Sequence, residues 1–225
     1  MSTPVRMMIE LGPKGKKSVA YAIDWPGWSR GAKTPERAID VLETYRQRYR
    51  PIAEMAGLGA EFDTAGQLTE VDRYTGTGST DFWGISFAAS PEEQEGMSGQ
   101  QLERRLALLQ AAWAYFDQVA TRVSPELKKG PRGGGRDRDQ IINHVLGWER
   151  TGLAVNAGVE YPEGVLVDPD VLRQYREDYL QALRDHHARG QKARKMELAY
   201  LIRHSAFHML DHAWEMEDKD LTATS

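Results

Sequence analysis

Cysteine is absent from this 225-residue chain. No disulfide, thiolate metal site or cysteine nucleophile can form, so any transition-metal site must use nitrogen and oxygen donors. Long apolar runs are missing too. No stretch approaches the ~18 residues that span a bilayer, and no signal-peptide core follows Met1. A cytoplasmic location with no membrane partner is the expectation. A basic excess is also lacking: 29 Lys and Arg stand against 33 Asp and Glu, a net charge of −4. That sign argues against a general nucleic-acid binder. The balance is uneven, with ten basic against six acidic residues in 1–57 and 19 against 27 in the remainder. A small local excess of this kind reads as a solvated face. What is present, 40% hydrophobic and 28% charged residues with six Trp, suits a globular protein with a proper core.

Two styles of sequence meet near residue 90. The first is strand-like and rich in turns. Residues 5–11 and 18–23 are short apolar runs joined by Gly12-Pro13-Lys14-Gly15, which predicts a hairpin. Thr34 as N-cap, Pro35 at the first helical position and Glu36 behind it start a helix. Ala38, Ile39, Leu42 and Tyr45 form its apolar face, and Pro51 is expected to kink or end it. Further strands are predicted at 67–74 and 82–88. Beyond residue 98 the period becomes helical, with four helices near 98–123, 139–155, 168–189 and 195–216. Helices of that length with moderate loops predict an all-α up-down four-helix bundle. The whole reads as an α+β unit over 1–90 followed by a bundle over 91–225.

Histidine carries the chemistry. His204, His208 and His212 recur every four residues in the last helix, and His144 lies in the second helix of the bundle. Residues four apart stand on one helix face. Two neighbouring imidazoles can therefore chelate one ion, whereas His204 and His212 lie ~12 Å apart along the axis and cannot share it. One consecutive pair plus a third ligand from another helix, for which His144 is the natural candidate, makes a mononuclear site. Burying several imidazoles without partners would cost on the order of a few kcal/mol, and a metal supplies the partner. Neither a Glu-x-x-His pair nor an H-E-x-x-H motif occurs, which excludes di-iron carboxylate and zincin chemistry. Three neutral imidazoles with an open position suit a catalytic divalent metal, Zn foremost and Ni, Fe or Mn after it.

Glu215 shares the ladder's face, where it would orient a ligand histidine or act as a base, or else be a plain exposed acid. Trp148 and Trp214 flank ligand positions as candidate pocket walls or as core. Arg132, Arg136 and Arg138, in a Gly-rich connector at 128–138, would hold an anionic substrate or cosubstrate, or else form a solvated loop. Asp211 points away from the ladder and is expected at the surface or between domains. His186 and His187 close the third helix and are expected in solvent.

Residues 98–217 resemble the DinB-like metal-binding bundle superfamily. The resemblance rests on the helix order, on Ile141-Ile-Asn-His144-Val-Leu-Gly-Trp148-Glu and on Phe207-His208-Met-Leu-Asp-His212-Ala-Trp214-Glu. It implies a divalent metal on His144, His208 and His212, with His204 left as an outer-shell or substrate-facing residue. It also implies an enzyme of the thiol-transferase, isomerase or hydrolase kind acting on a small molecule, with a low-molecular-weight thiol such as mycothiol or bacillithiol as cosubstrate. Residues 5–57 resemble the HicB-like antitoxin fold, through Ser18-Val-Ala-Tyr-Ala-Ile-Asp24-Trp-Pro26-Gly27-Trp28 and Thr34-Pro-Glu36-Arg-Ala38. Trp28 replaces that family's small residue or Cys and is expected to pack against the bundle or wall a pocket. The rival function is non-enzymatic: a HicB-like module binding RNA or a protein partner, with the bundle as a metal-stabilised homodimer platform.

Overall fold

The computed structural model describes residues 2–130 and 134–222. The hairpin forms as the turn chemistry predicts, from β1 (Val5–Leu11) and β2 (Ser18–Ala22), with Gly15 at φ +63 in the turn. β3 (Ser29–Ala32) pairs antiparallel with β2, and the sheet order is β3-β2-β1-β4. β4 (Leu68–Thr75) runs parallel to β1. A parallel neighbour requires a crossover, and α1 (Pro35–Thr44), α2 (Arg46–Met55) and α3 (Gly59–Asp63) supply it. Thr34 caps α1 by accepting the Arg37 N–H at 3.2 Å. Pro51 lies within α2 rather than ending a helix; the break falls at Tyr45 (φ −90, ψ 0). The missing N–H at Pro51 costs one bond that α2 tolerates, while Tyr45 turns the chain against the core.

The expected strand at 82–88 is not one. Residues 78–83 form a short helix, α4 (Gly78–Trp83), locked by a capping box of Thr77 and Thr80 and closed by Gly84 in the left-handed region. Those caps satisfy helix-end groups locally and override the β-propensity of Phe82 and Trp83. After α5 (Pro91–Gln94) come the long helices α6 (Gly99–Arg122), α7 (Arg138–Trp148), α8 (Pro169–Ala188) and α9 (Leu198–Lys219). The helix expected over 139–155 loosens after Trp148 into a π turn, Glu149–Leu153, then a 3₁₀ turn, Ala154–Ala157. A Cβ on Gly152 would meet the Trp148 ring at 2.7 Å, so the backbone passes directly beneath that indole.

The architecture is α+β, a four-stranded mixed sheet followed by a helical region, and one apolar core runs from Val5 to Met216. α9 is central. It packs on α6, α7 and α8, and one flank faces the N-terminal part. Gly27, at φ +94, allows close approach: a Cβ there would meet Leu210 Cδ1 at 2.7 Å. Ion pairs seal the seam, Arg30 with Asp211 at 2.9 Å and Arg48 with Glu217 at 2.9 Å. Trp28, expected against the bundle or as a pocket wall, makes its ring and hydrogen-bond contacts with Tyr49, Phe62 and Leu42 of the N-terminal part. It is buried within the N-terminal core, stacked on Tyr49 at 5.7 Å and donating to the Leu42 carbonyl at 2.8 Å. Its length suits the gap between sheet and α1–α3. Among the described residues no helix is long and apolar enough to cross a membrane.

Candidate metal centre

Two helices bring the three histidines together. α7 carries His144, and α9 carries His208 and His212 one turn apart. One potential ligand atom from each lies within 4.8 Å of the other two. Ring centroids are 4.8 Å apart for His208–His212, 4.9 Å for His144–His212 and 5.4 Å for His144–His208. With Zn–N near ~2.1 Å, tetrahedral nitrogens stand about 3.4 Å apart. Small side-chain rotations would close that gap.

The second ring nitrogens add to the fit. His212 Nδ1 lies 2.7 Å from Glu215 Oε2, which fixes that ring and leaves its Nε2 free to coordinate. Glu215 also accepts from Lys219 Nζ. The His212 bond, with help from Lys219, lowers the Glu215 pKa to about 2, so the acid is an ionised anchor for His212. His208 is partly buried, and its Nδ1 has no hydrogen-bond partner among the described residues. Burial first, then the neighbouring imidazoles and Arg136, depress its pKa to about 2. Burial also lowers His144, with His212 and Arg136 adding to the effect. Neutral imidazoles are the form that binds metal. The donor set, its convergence and the orphaned nitrogen fit a divalent cation.

His204 belongs elsewhere. It is buried, its Nδ1 lies 3.1 Å from the Ser86 carbonyl, and its ring stands 5.4 Å from that of Phe87. Burial, then Arg203, lower its pKa to about 4. Trp148 fits a pocket wall: it is exposed and its ring centroid lies 6.4 Å from that of His208. Trp214 is committed to the seam instead, fully buried against Tyr45 at 5.1 Å with Arg30 stacked over its ring. Arg136 is exposed, yet its charge is felt at both His144 and His208. Arg138 pairs with Asp139 at 2.8 Å, and Arg132 lies outside the described residues. Asp211 makes its contact across the seam to Arg30. His186 and His187 are not free in solvent. Half-buried, they bond the Ala157 and Met97 carbonyls at 3.2 and 2.8 Å, because α8 ends against those loops.

Sequence reasoning missed several buried ionisable groups, and two sites among them involve the helical region. Arg203, next to the ladder, forms a buried pair with Glu93 and donates to Ser86 Oγ at 2.9 Å. Glu149 is fully buried in the π turn and accepts the Trp113 indole N–H at 2.5 Å. A helical pattern with a charge on its apolar face was the available signal for both. A scan against protein-family models, a search of curated proteins and a search of solved structures each find no match to this chain.

Proposed function

We propose that the chain is a metal-dependent, DinB-like protein that activates water or a low-molecular-weight thiol for transfer to a small-molecule electrophile. The convergence of His144, His208 and His212 within 4.8 Å carries this reading. A divalent cation there supplies Lewis acidity, bringing a water or thiol nucleophile within reach of deprotonation near neutral pH. The chain's own residues do the rest. Glu215 holds the tautomer and orientation of His212 from its second nitrogen. Trp148 offers an apolar wall on one side of the histidines, and Arg136 adds a positive field that favours an anionic substrate. The finer fold reading, a HicB-like unit followed by an up-down four-helix bundle, belongs to the same proposal; the chain order α6 to α9 and the packing of α9 on α6, α7 and α8 support its bundle part.

The test is elemental analysis of protein purified without a histidine tag, for wild type and the His144→Ala, His208→Ala and His212→Ala variants. The expected result is about one divalent ion per chain in wild type, lost in each variant while far-UV circular dichroism stays unchanged. Retention of metal by all three variants sinks the site. Unfolding of the wild type on chelation would mark the ion as structural and remove the catalytic reading.

A further inference from the structure

The two most exposed aromatic side chains among the described residues are neighbours. Phe82 is 69% and Trp83 61% exposed, and their rings meet edge to face at 4.6 Å. They project from α4, which is bolted to the lysine-rich β1–β2 turn. The buried Asp81 carboxylate accepts the backbone N–H groups of Lys14 at 2.7 Å and Lys16 at 2.8 Å. Lys17 Nζ donates to the Phe82 carbonyl at 2.7 Å. Gly12 has no room for a side chain here, since a Cβ would meet Asp81 Oδ1 at 2.1 Å. The aromatic pair and Lys14, Lys16 and Lys17 are therefore one rigid surface feature, remote in sequence from the histidines. Asp81 spends its hydrogen bonds on the turn's backbone, and the exposed Lys14 and Lys16 make no ion pair with a carboxylate among the described residues.

We propose that this feature docks the protein onto an anionic lipid surface, with Phe82 and Trp83 seated at the headgroup level and the lysines against the lipid phosphates. Protruding aromatics favour that interfacial layer, and lysines beside them gain from the negative surface potential. The net charge of −4 does not prevent this, because charges beyond the Debye length of about 8 Å are screened. Two other occupants fit less well. In a symmetric dimer the patch would face itself and set lysines against lysines. For single-stranded nucleic acid, the edge-to-face pairing covers a ring face that a base would need for stacking. The association is peripheral and reversible, since a patch of this size lacks the grip of a spanning segment.

The test is sedimentation of the full chain with phosphatidylglycerol-containing vesicles and with pure phosphatidylcholine vesicles. Binding is expected to the anionic vesicles alone, weakening as salt rises. Trp83→Ala should reduce the partition coefficient at least tenfold, and Phe82→Ala should also weaken it. Lys14→Gln with Lys16→Gln should reduce it about 25-fold, at roughly fivefold per lysine. These side chains are exposed, so melting curves of the variants should overlay wild type. His208→Ala should bind vesicles like wild type, which separates this inference from the metal reading. Failure to bind anionic vesicles, or binding indifferent to Trp83→Ala, overturns it. So does aromatic-dependent capture of oligouridylate, or a self-association that Trp83→Ala dissolves, with no vesicle binding.

Discussion

Glu149 should make the protein less stable as pH rises towards neutrality. Its carboxyl group is fully buried, one oxygen accepts from Trp113, and Oε2 has no partner among the described residues. Burial raises its pKa from 4.5 to about 7, against a partial opposing pull from Arg176. Below pH 4.5 the acid is neutral in both folded and unfolded chains, and its contribution is fully present. Between pH 4.5 and about 7 the unfolded chain releases the proton while the folded chain keeps it, so stability falls. Above about 7 the loss is complete. A shift of that size corresponds to about 3 kcal/mol at ~1.4 kcal/mol per pH unit. Glu149→Gln keeps the shape, can still accept from Trp113 and cannot ionise. Urea denaturation at a series of pH values should show the variant gaining about 2 to 3 kcal/mol on wild type between about pH 5 and about pH 8. At the alkaline end that is a rise in Tm of about 5 to 10 °C. Taking the difference cancels the other ionisable groups, which the two proteins share. Parallel stability curves for the two proteins would refute the reasoning, since they would mean that Glu149 ionises equally easily folded and unfolded.

Removing one partner of the buried Arg203–Glu93 pair should be costly. Arg203→Met leaves Glu93 buried without its counter-ion and should cost about 3–5 kcal/mol in urea unfolding, with most of it recovered on adding Glu93→Gln. Glu215→Gln should weaken zinc binding about 10- to 100-fold in chelator competition, because His212 loses its anionic anchor. Unchanged affinity would show that the carboxylate does not support the ligand. Gly27→Ala should destabilise by about 1–3 kcal/mol, as the new methyl group collides with Leu210 at the seam; an unchanged denaturation midpoint would mean that the seam can shift.

The local chemistry was plain in the residues. Thr34-Pro35 starts α1 where the residues say it should, because a cap depends on neighbours within one turn. Local signals failed where two local rules competed. At 82–88 the aromatic run looked like a strand, yet Thr77, Thr80 and Gly84 formed a complete set of helix ends. Past Trp148 the helical pattern continued on paper, while burial of Glu149 against Trp113, on the preceding helix α6, accompanied the change to a π turn.

By itself the sequence determined which helix faces carry imidazoles and how far apart they stand along each axis, since helix geometry alone sets that spacing. It also determined that no thiolate side chain could take part. Only the tertiary structure decided which face of α9 met α7 and which met the N-terminal part. His204 and His208 look equivalent in the ladder, but packing turned His204 to the Ser86 carbonyl and set His208 and His212 beside His144. Trp28 and Trp214 were likewise sorted by the space available to each ring. The physical reason is that an α-helix repeats every 3.6 residues rather than four. Each step of the ladder therefore rotates its side chain, and the surrounding helices decide where every one of them points.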